Sequence, residues 1–254
     1  PFHSHINLIS LNTIQDKWNI PELIEDTDGL SVWFKQDNTF KVPKGYIYLG
    51  IDAPITIKSN KHIAMTRLFV DLYSDAVIEQ HYDAELAGIH YHLFSHQGGV
   101  TLQLSGVSAK QEKLFEQLLI SLSREEFEQE KFELFKKQLM NHWHNAQTSK
   151  SISQLFSVLS STMQPKSPTS DELASALLNI SFEEFTAFRH QIFDEVTIEA
   201  LIHGNWLTEH VDSFNQLLKS AFKHNYANRH TVEIPVLDIK EQGKIHIPLQ
   251  LPEH

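Results

Sequence analysis

Residues 61–106 read KHIAMTRLFVDLYSDAVIEQHYDAELAGIHYHLFSHQGGVTLQLSG, and the spacing of the apolar residues changes once within this stretch. In the first part, apolar residues recur at intervals of three and four, as on one face of an amphipathic helix: Met65, Leu68, Phe69, Leu72, Tyr73 and Ala76. We therefore predict a helix over residues 61–86 that stops at Gly88, because glycine commonly ends a helix. Two strands, residues 89–95 and 100–106, then pair across Gly98–Gly99.

Strand signals also flank this stretch on both sides. Residues 31–35 and 46–51 precede it, and residues 196–203 follow it near the other end of the chain. A last helix is predicted over residues 207–224, and two short strand-like runs follow within residues 231–251. Strands at the two ends around a helical middle predict an α+β fold. We expect a two-layer domain, with a mixed, mainly antiparallel sheet covered on one side by helices.

Four pairs in the helical part fit the capping box, in which a Ser or Thr is followed three residues later by Glu or Gln. The first side chain then caps the helix, and the second reaches back to the cap amide. The pairs are Ser108 with Gln111, Ser123 with Glu126, Thr169 with Glu172 and Ser181 with Glu184. Each pair predicts that a helix begins there.

The bulk composition is that of an ordinary globular protein, with 254 residues, 41% of them hydrophobic and 21% charged. The formal charge is −11 and the longest basic run is Lys136–Lys137, which excludes nucleic acid as a partner. No apolar run is long enough for a spanning helix, so we expect no membrane partner. The absence of cysteine removes disulfides and thiol chemistry.

Sixteen histidines make a metal site the first chemistry to test. The helical zinc motifs H-E-x-x-H and H-x-x-E-H are both absent. His90, His92 and His96 share a predicted strand with even spacing, so they would point to one face and could hold a metal. The alternative, which we favour, is that they line a solvated face beside a hairpin. His142 and His144 lie about 200° apart on a helix and cannot share an ion.

Other catalytic patterns are equally weak. No G-x-S-x-G elbow and no Gly-rich phosphate loop occurs. Asp83 and Glu85 could form an acid/base pair, but nothing in the sequence singles them out. A further acidic run is typical of the first turn of a helix, where negative charge favours the helix dipole: Glu125, Glu126, Glu128 and Glu130. The residues alone therefore indicate no active site.

Several segments occur together in one order. They are PELIEDTDGLSVWFKQD (21–37) with Phe40 and Pro43–Lys44, YDAELAG (82–88), GVTLQLSG (99–106) with Lys110–Gln111 and Leu118–Leu119, and IEALIHGN (198–205). In order and spacing they resemble the third module of zinc peptidases of the insulysin–pitrilysin type. The resemblance extends over residues 21–240.

This resemblance implies a specific architecture. Such peptidases consist of four related α+β modules in two halves that close around a peptide, and the first module binds zinc through H-x-x-E-H and a distal Glu. Residues 61–88 are similar to the helix that carries this motif. Here His62 is followed by Ile63, Ala64, Met65 and Thr66, so the ligands are missing. No catalytic, cofactor-binding or metal residue carries over, and the resemblance implies that another module binds the zinc.

The resemblance also sets the expected boundaries. Residues 1–30 would be a lead-in from a preceding module, residues 31–230 a single α+β middle module, and residues 231–254 the linker and first strand towards a following module. The chain starts at Pro1 without a signal-peptide pattern, and we expect a piece of a longer polypeptide. The resemblance favours a periplasmic location, while a cytoplasmic one stays open.

The expected function is that of a non-catalytic module of a zinc metalloendopeptidase, inactive by itself. It would form chamber wall and inter-module interfaces, with the other modules and peptide substrates as partners. The alternative is a free-standing peptide-binding or interaction protein on the same fold.

Overall fold

The computed structural model describes residues 20–37, 43–148, 167–222 and 226. Within these residues the chain forms six strands and seven α-helices. The strands are β1 (Glu22–Thr27), β2 (Leu30–Gln36), β3 (Lys44–Asp52), β4 (Ile89–His96), β5 (Gly99–Val107) and β6 (Thr197–Gly204). The helices are α1 (Asn60–Gln80), α2 (Tyr82–Leu86), α3 (Gln111–Arg124), α4 (Gln129–Thr148), α5 (Ser170–Leu178), α6 (Phe182–Gln191) and α7 (Thr208–Ala221).

All six strands belong to one sheet, in the order β1-β2-β6-β3-β5-β4. Neighbouring strands are antiparallel except β2 and β6, which are parallel with Leu30 opposite Ile198. The predicted α+β class with a mixed, mainly antiparallel sheet is therefore confirmed. β1 lies within the predicted lead-in, residues 1–30, and adds a strand to this sheet. The strand-like runs predicted in residues 231–251 lie outside the described residues.

The helices cover one face of the sheet, and β3 shows why. Ile47, Leu49 and Ile51 alternate with polar or aromatic residues and are at most 1% exposed. Successive side chains of a strand point to opposite faces, so these three residues enter the core beneath the helices. Tyr46, which points the other way, is 38% exposed. The same alternation places a solvent-accessible face on the side of the sheet away from the helices.

The long predicted helix over residues 61–86 is two helices in the structure. α1 begins after Ser59, whose side chain accepts a hydrogen bond from the backbone N–H of His62. It ends at Gln80 with His81 as the C-cap, and the short helix α2 follows before Gly88, which has φ = 84°. The expected stop at Gly88 is thus confirmed, but the uninterrupted helix is wrong. The apolar face of α1 is buried as predicted; for example, Tyr73 is 0% exposed and donates a hydrogen bond to the carbonyl of Leu118.

Two of the four predicted helix starts are confirmed. At Thr169, the side chain caps the N–H of Glu172, and the Glu172 carboxylate accepts a hydrogen bond from the N–H of Thr169. At Ser181, the hydroxyl accepts a hydrogen bond from the N–H of Glu184. These caps begin α5 and α6 and satisfy amides that would otherwise lack a partner.

The other two predicted starts are wrong. Ser108 caps no helix; its hydroxyl donates to the carbonyl of Pro43, while Gln111 donates to the carbonyls of Gly45 and Gly106. Ser123 lies inside α3 and donates to the carbonyl of Ile120. Each serine hydroxyl therefore bonds a carbonyl instead of capping a helix. For Ser108 the carbonyl belongs to a distant residue, Pro43, and for Ser123 it belongs to Ile120 of the same helix.

Candidate functional site

The three histidines of the suggested metal site lie on β4, at one edge of the sheet. Ile89 and Leu93 are buried beneath the helices, so His90, His92 and His96 point to the opposite face, as the alternation predicted. Among the described residues, no group of three His, Asp or Glu side chains lies close enough to hold a metal ion. A metal at these histidines stays the less favoured alternative from the sequence, and the solvated sheet face stays the preferred interpretation.

His96 instead belongs to a hydrogen-bonded group at one end of three strands. Its Nε2 lies 2.6 Å from Oδ1 of Asp52 at the end of β3, and its Nδ1 lies 2.8 Å from Oγ1 of Thr101 on β5. Both ring nitrogens are therefore occupied. Sequence reasoning did not find Asp52, because it precedes His96 by 44 residues and follows no motif.

The remaining sequence candidates do not converge on a site. His142 and His144 are exposed on α4, on either side of the buried Trp143. Asp83 and Glu85 are both exposed on α2. Two helical residues at this spacing point about 200° apart, so their carboxylates do not face one another.

The side chains at the start of α1 are not those of a zinc site. His62 lies in its first turn, with Nδ1 2.7 Å from the hydroxyl of Ser59 and its ring edge-on to Phe188. Burial lowers the pKa of His62, and nearby Lys58 lowers it further. One turn later stand Met65 and Thr66, which are both buried and provide neither imidazole nor carboxylate.

One face of the sheet lies away from the described helices, and we call it the open sheet face. Its central row crosses five strands in register: Trp33, Leu201, Tyr48, Gln103 and His92. A second row runs beside it: Lys35, His203, Tyr46, Ser105 and His90. Both rows thus combine aromatic rings with hydrogen-bonding side chains.

Contacts between neighbouring strands order these side chains. The rings of Tyr46 and His203 stack with centroids 5.9 Å apart. Trp33 donates an indole hydrogen bond of 3.2 Å to the carboxylate of Glu199. Such a surface offers aromatic area and polar tips, which suit contact with another polypeptide.

Partial burial shifts the pKa of three side chains on the open sheet face. Burial lowers the pKa of Lys35, an effect that Asp37 partly offsets. Burial also lowers the pKa of His203, with a further contribution from Lys35, and it raises the pKa of Tyr48. All three shifts favour the neutral side chain, because this face is partly shielded from water.

Sequence reasoning did not single out these aromatic residues. A signal was present in β3, where Tyr46 and Tyr48 alternate with Ile47 and Leu49. In a half-buried strand, that pattern indicates which residues point away from the core. It does not indicate that five strands would bring their outward residues together.

The described residues define a single α+β module: one six-stranded sheet with helices on one face and an aromatic, polar row of side chains on the other. A family model described as the middle or third domain of peptidase M16 matches residues 6–176. The chain is 31% identical over 185 residues to insulin-degrading enzyme from Homo sapiens, covering 73% of this chain and 18% of that protein. It is 25% identical over 228 residues to "putative zinc protease mug138" from Schizosaccharomyces pombe, covering 87% of this chain and 24% of that protein.

The crystal structure of pitrilysin has the same fold, with a TM-score of 0.75 and 20% sequence identity over 83% of this chain and 22% of that one. The chain belongs to the peptidase M16 family, in which it is the middle domain. The resemblance to zinc peptidases of the insulysin–pitrilysin type is thereby confirmed. The chain spans about a fifth of the length of the relatives it matches (18% for the human enzyme). Among the residues that the structure describes, no helix is long and apolar enough to cross a membrane.

Proposed function

We propose that this chain is a structural, non-catalytic module of a zinc metalloendopeptidase that degrades peptides. In this function it forms part of the chamber wall and the interfaces with the other modules of the same polypeptide. The observation that carries the proposal is the open sheet face, an aromatic and polar surface on the side of the sheet away from the described helices. A surface of this kind suits contact with peptide or with another module.

The residues of α1 support the absence of a catalytic role. The resemblance places the zinc-binding helix of the first module at this position, and the donor set around His62 does not fit zinc. In the proposed enzyme a different module binds the metal. This chain contributes shape and affects how readily the chamber opens, a step that can limit turnover.

The native gene on both sides of this segment provides the test. We expect upstream codons for a module with H-x-x-E-H and downstream codons for a further module. Stop codons close to both ends would contradict the proposal and leave the free-standing peptide-binding protein as the better explanation.

A second test uses the intact enzyme. Substitution of Trp33 and Tyr48 by alanine removes aromatic area from the open sheet face, so we expect a higher KM for peptides or a change in chamber opening. Leu207→Ala is the control, since Leu207 is 62% exposed at the N-cap of α7 and belongs to none of the strands that form this face. Unchanged kinetics and unchanged opening in the double variant would contradict a role of this face.

A further inference from the structure

The two edges of the sheet differ in how they are protected against pairing with another strand. β1 forms one edge and carries three acidic residues among its six: Glu22, Glu25 and Asp26. Its register with β2 is also interrupted between Leu23 and Glu25. Charge and irregularity are the usual features that keep an edge strand from pairing with further chains.

β4, at the opposite edge, has neither feature. Its sequence, IHYHLFSH, contains no Asp, Glu, Lys, Arg or Pro. It pairs with β5 without interruption from Ile89 to His96. Among the described residues β5 is its one strand neighbour, so the outer N–H and C=O groups of β4 have no strand partner there. An edge of this length and composition favours the addition of a further strand.

Apolar residues are exposed next to this edge. α2 packs against β4, and its Tyr82 and Leu86 are 60% and 70% exposed. On the other side of the strand, the rings of His92 and Phe94 stack with centroids 5.5 Å apart. A strand added to β4 would therefore find apolar or aromatic surface on both of its faces.

The charge near the edge is negative. Asp83 and Glu85 are the charged residues of α2 and are both exposed. Glu85 lies near β4, since its charge adds to burial in raising the pKa of Tyr91. The acidic and apolar residues near β4 favour an added strand with cationic and apolar side chains. It disfavours a second copy of the chain, because each copy has a formal charge of −11.

We propose that the free edge of β4 binds an extended peptide by strand addition, with apolar side chains against Tyr82 and Leu86 and cationic side chains near Asp83 and Glu85. The proposal rests on the proposed function, because the peptide is of the class that the peptidase would enclose. It gives this module a direct contact with substrate beyond the shape of the chamber.

Binding of a fluorescent peptide of alternating valine and lysine to the full chain tests the proposal. Two matched peptides carry N-methyl groups on alternate residues: one peptide on the odd-numbered residues and the other on the even-numbered residues. An added strand turns only every second N–H towards its neighbour. We therefore expect one methylated peptide to bind about tenfold more weakly and the other to bind almost as the parent, on the usual energies of hydrogen bonds. Equal binding of all three peptides would overturn strand addition.

Hydrogen exchange and one pair of variants locate the site. The parent peptide should slow exchange in residues 89–96 and leave residues 22–27 unchanged. Leu86→Lys should weaken binding several-fold by removing apolar contact and adding positive charge. Leu178→Lys, at a residue of α5 that is 59% exposed, should bind as the parent chain does. Equal loss in both variants, or protection elsewhere, would overturn the assignment to β4.

Two other occupants have their own signatures, and either would overturn the proposal. A peptide-free dimer in sedimentation that protects residues 89–96 would identify a second copy. Protection of the same residues in the peptide-free intact enzyme would identify a neighbouring module. The two proposals can fail separately. A gene without a zinc module would contradict the proposed function but not peptide binding at β4. Absence of peptide binding would contradict the site at β4 only.

Discussion

At the scale of single residues, Gly45 and Trp206 are in close contact. Trp206 is 2% exposed, packs edge-on to Phe214 at 4.9 Å and donates its indole N–H to the carbonyl of His203. A Cβ added at Gly45 would lie 2.2 Å from the indole ring. The ring is held on several sides, so it cannot move away without loss of these contacts.

We expect Gly45→Ala to lower the free energy of unfolding by about 1–3 kcal/mol through overpacking. Urea unfolding monitored by tryptophan fluorescence measures it. Gly50→Ala is the matched control in the same strand, since its added Cβ would lie 3.6 Å from the carbonyl of Glu199, an ordinary contact. Equal stability of the two variants would contradict the packing argument.

Three partly buried histidines determine a pH dependence of stability. Burial lowers the pKa of His62, His81 and His203 from the ordinary value of 6.5. The unfolded chain binds these protons at higher pH than the folded chain, so acidification favours unfolding. This contribution to stability is complete above pH 6.5 and is lost as the pH falls below 6.5 towards the folded values.

His81→Gln should make the stability less dependent on pH in this window, because glutamine does not titrate. The Nε2 of His81 is buried and has no hydrogen-bond partner among the described residues, which makes its protonation costly. Urea midpoints on either side of pH 6.5 test this expectation. His144→Gln, at an exposed residue of α4, should keep the original slope. The same slope in His81→Gln would rule out His81 as a contributor.

At the scale of the elements, the caps separate local from tertiary effects. Ser181→Ala removes the acceptor for the N–H of Glu184 at the start of α6 and should cost about 1 kcal/mol of stability. Ser123→Ala removes a bond to a carbonyl inside α3 and should cost much less. Urea unfolding compares the two, and a reversed order would contradict the cap assignment.

The sequence motif is identical in form at these two serines. Thr169 and Ser181 were predicted correctly because each follows a non-helical segment, so its side chain is available to the first amides of a new helix. Ser123 has the same spacing to Glu126, but α3 continues through it to Arg124. The motif is therefore insufficient by itself, since the preceding backbone decides whether a helix begins. It is not required either, because Ser59 caps α1 without a Glu or Gln three residues later.

At the scale of the whole molecule, the formal charge of −11 favours attraction of cationic peptides. In the enzyme that we propose, we expect a cationic peptide to bind more tightly than neutral or anionic peptides of the same length. The preference should decrease with added salt, because salt screens exposed charges. A peptide panel graded by charge provides the measurement, and equal affinities across it would contradict the expectation.

The sequence by itself determined five of the six described strands, the α+β class and the likeness to peptidase middle modules. It did not predict β1 or the break between α1 and α2. Apolar spacing and turn residues act over a few neighbours, and residues 61–106 contain enough of them to indicate both a helix and a hairpin. The missing zinc ligands after His62 were equally visible, because that motif is confined to one turn of a helix.

Only the tertiary structure decided which distant residues meet. Leu30 lies opposite Ile198 in the parallel pair, and Asp52 reaches His96. The open sheet face and the free edge of β4 exist because five connections place the strands in one order out of many. These contacts depend on the packing of the entire chain, whereas a sequence pattern reports only the preferences of neighbouring residues.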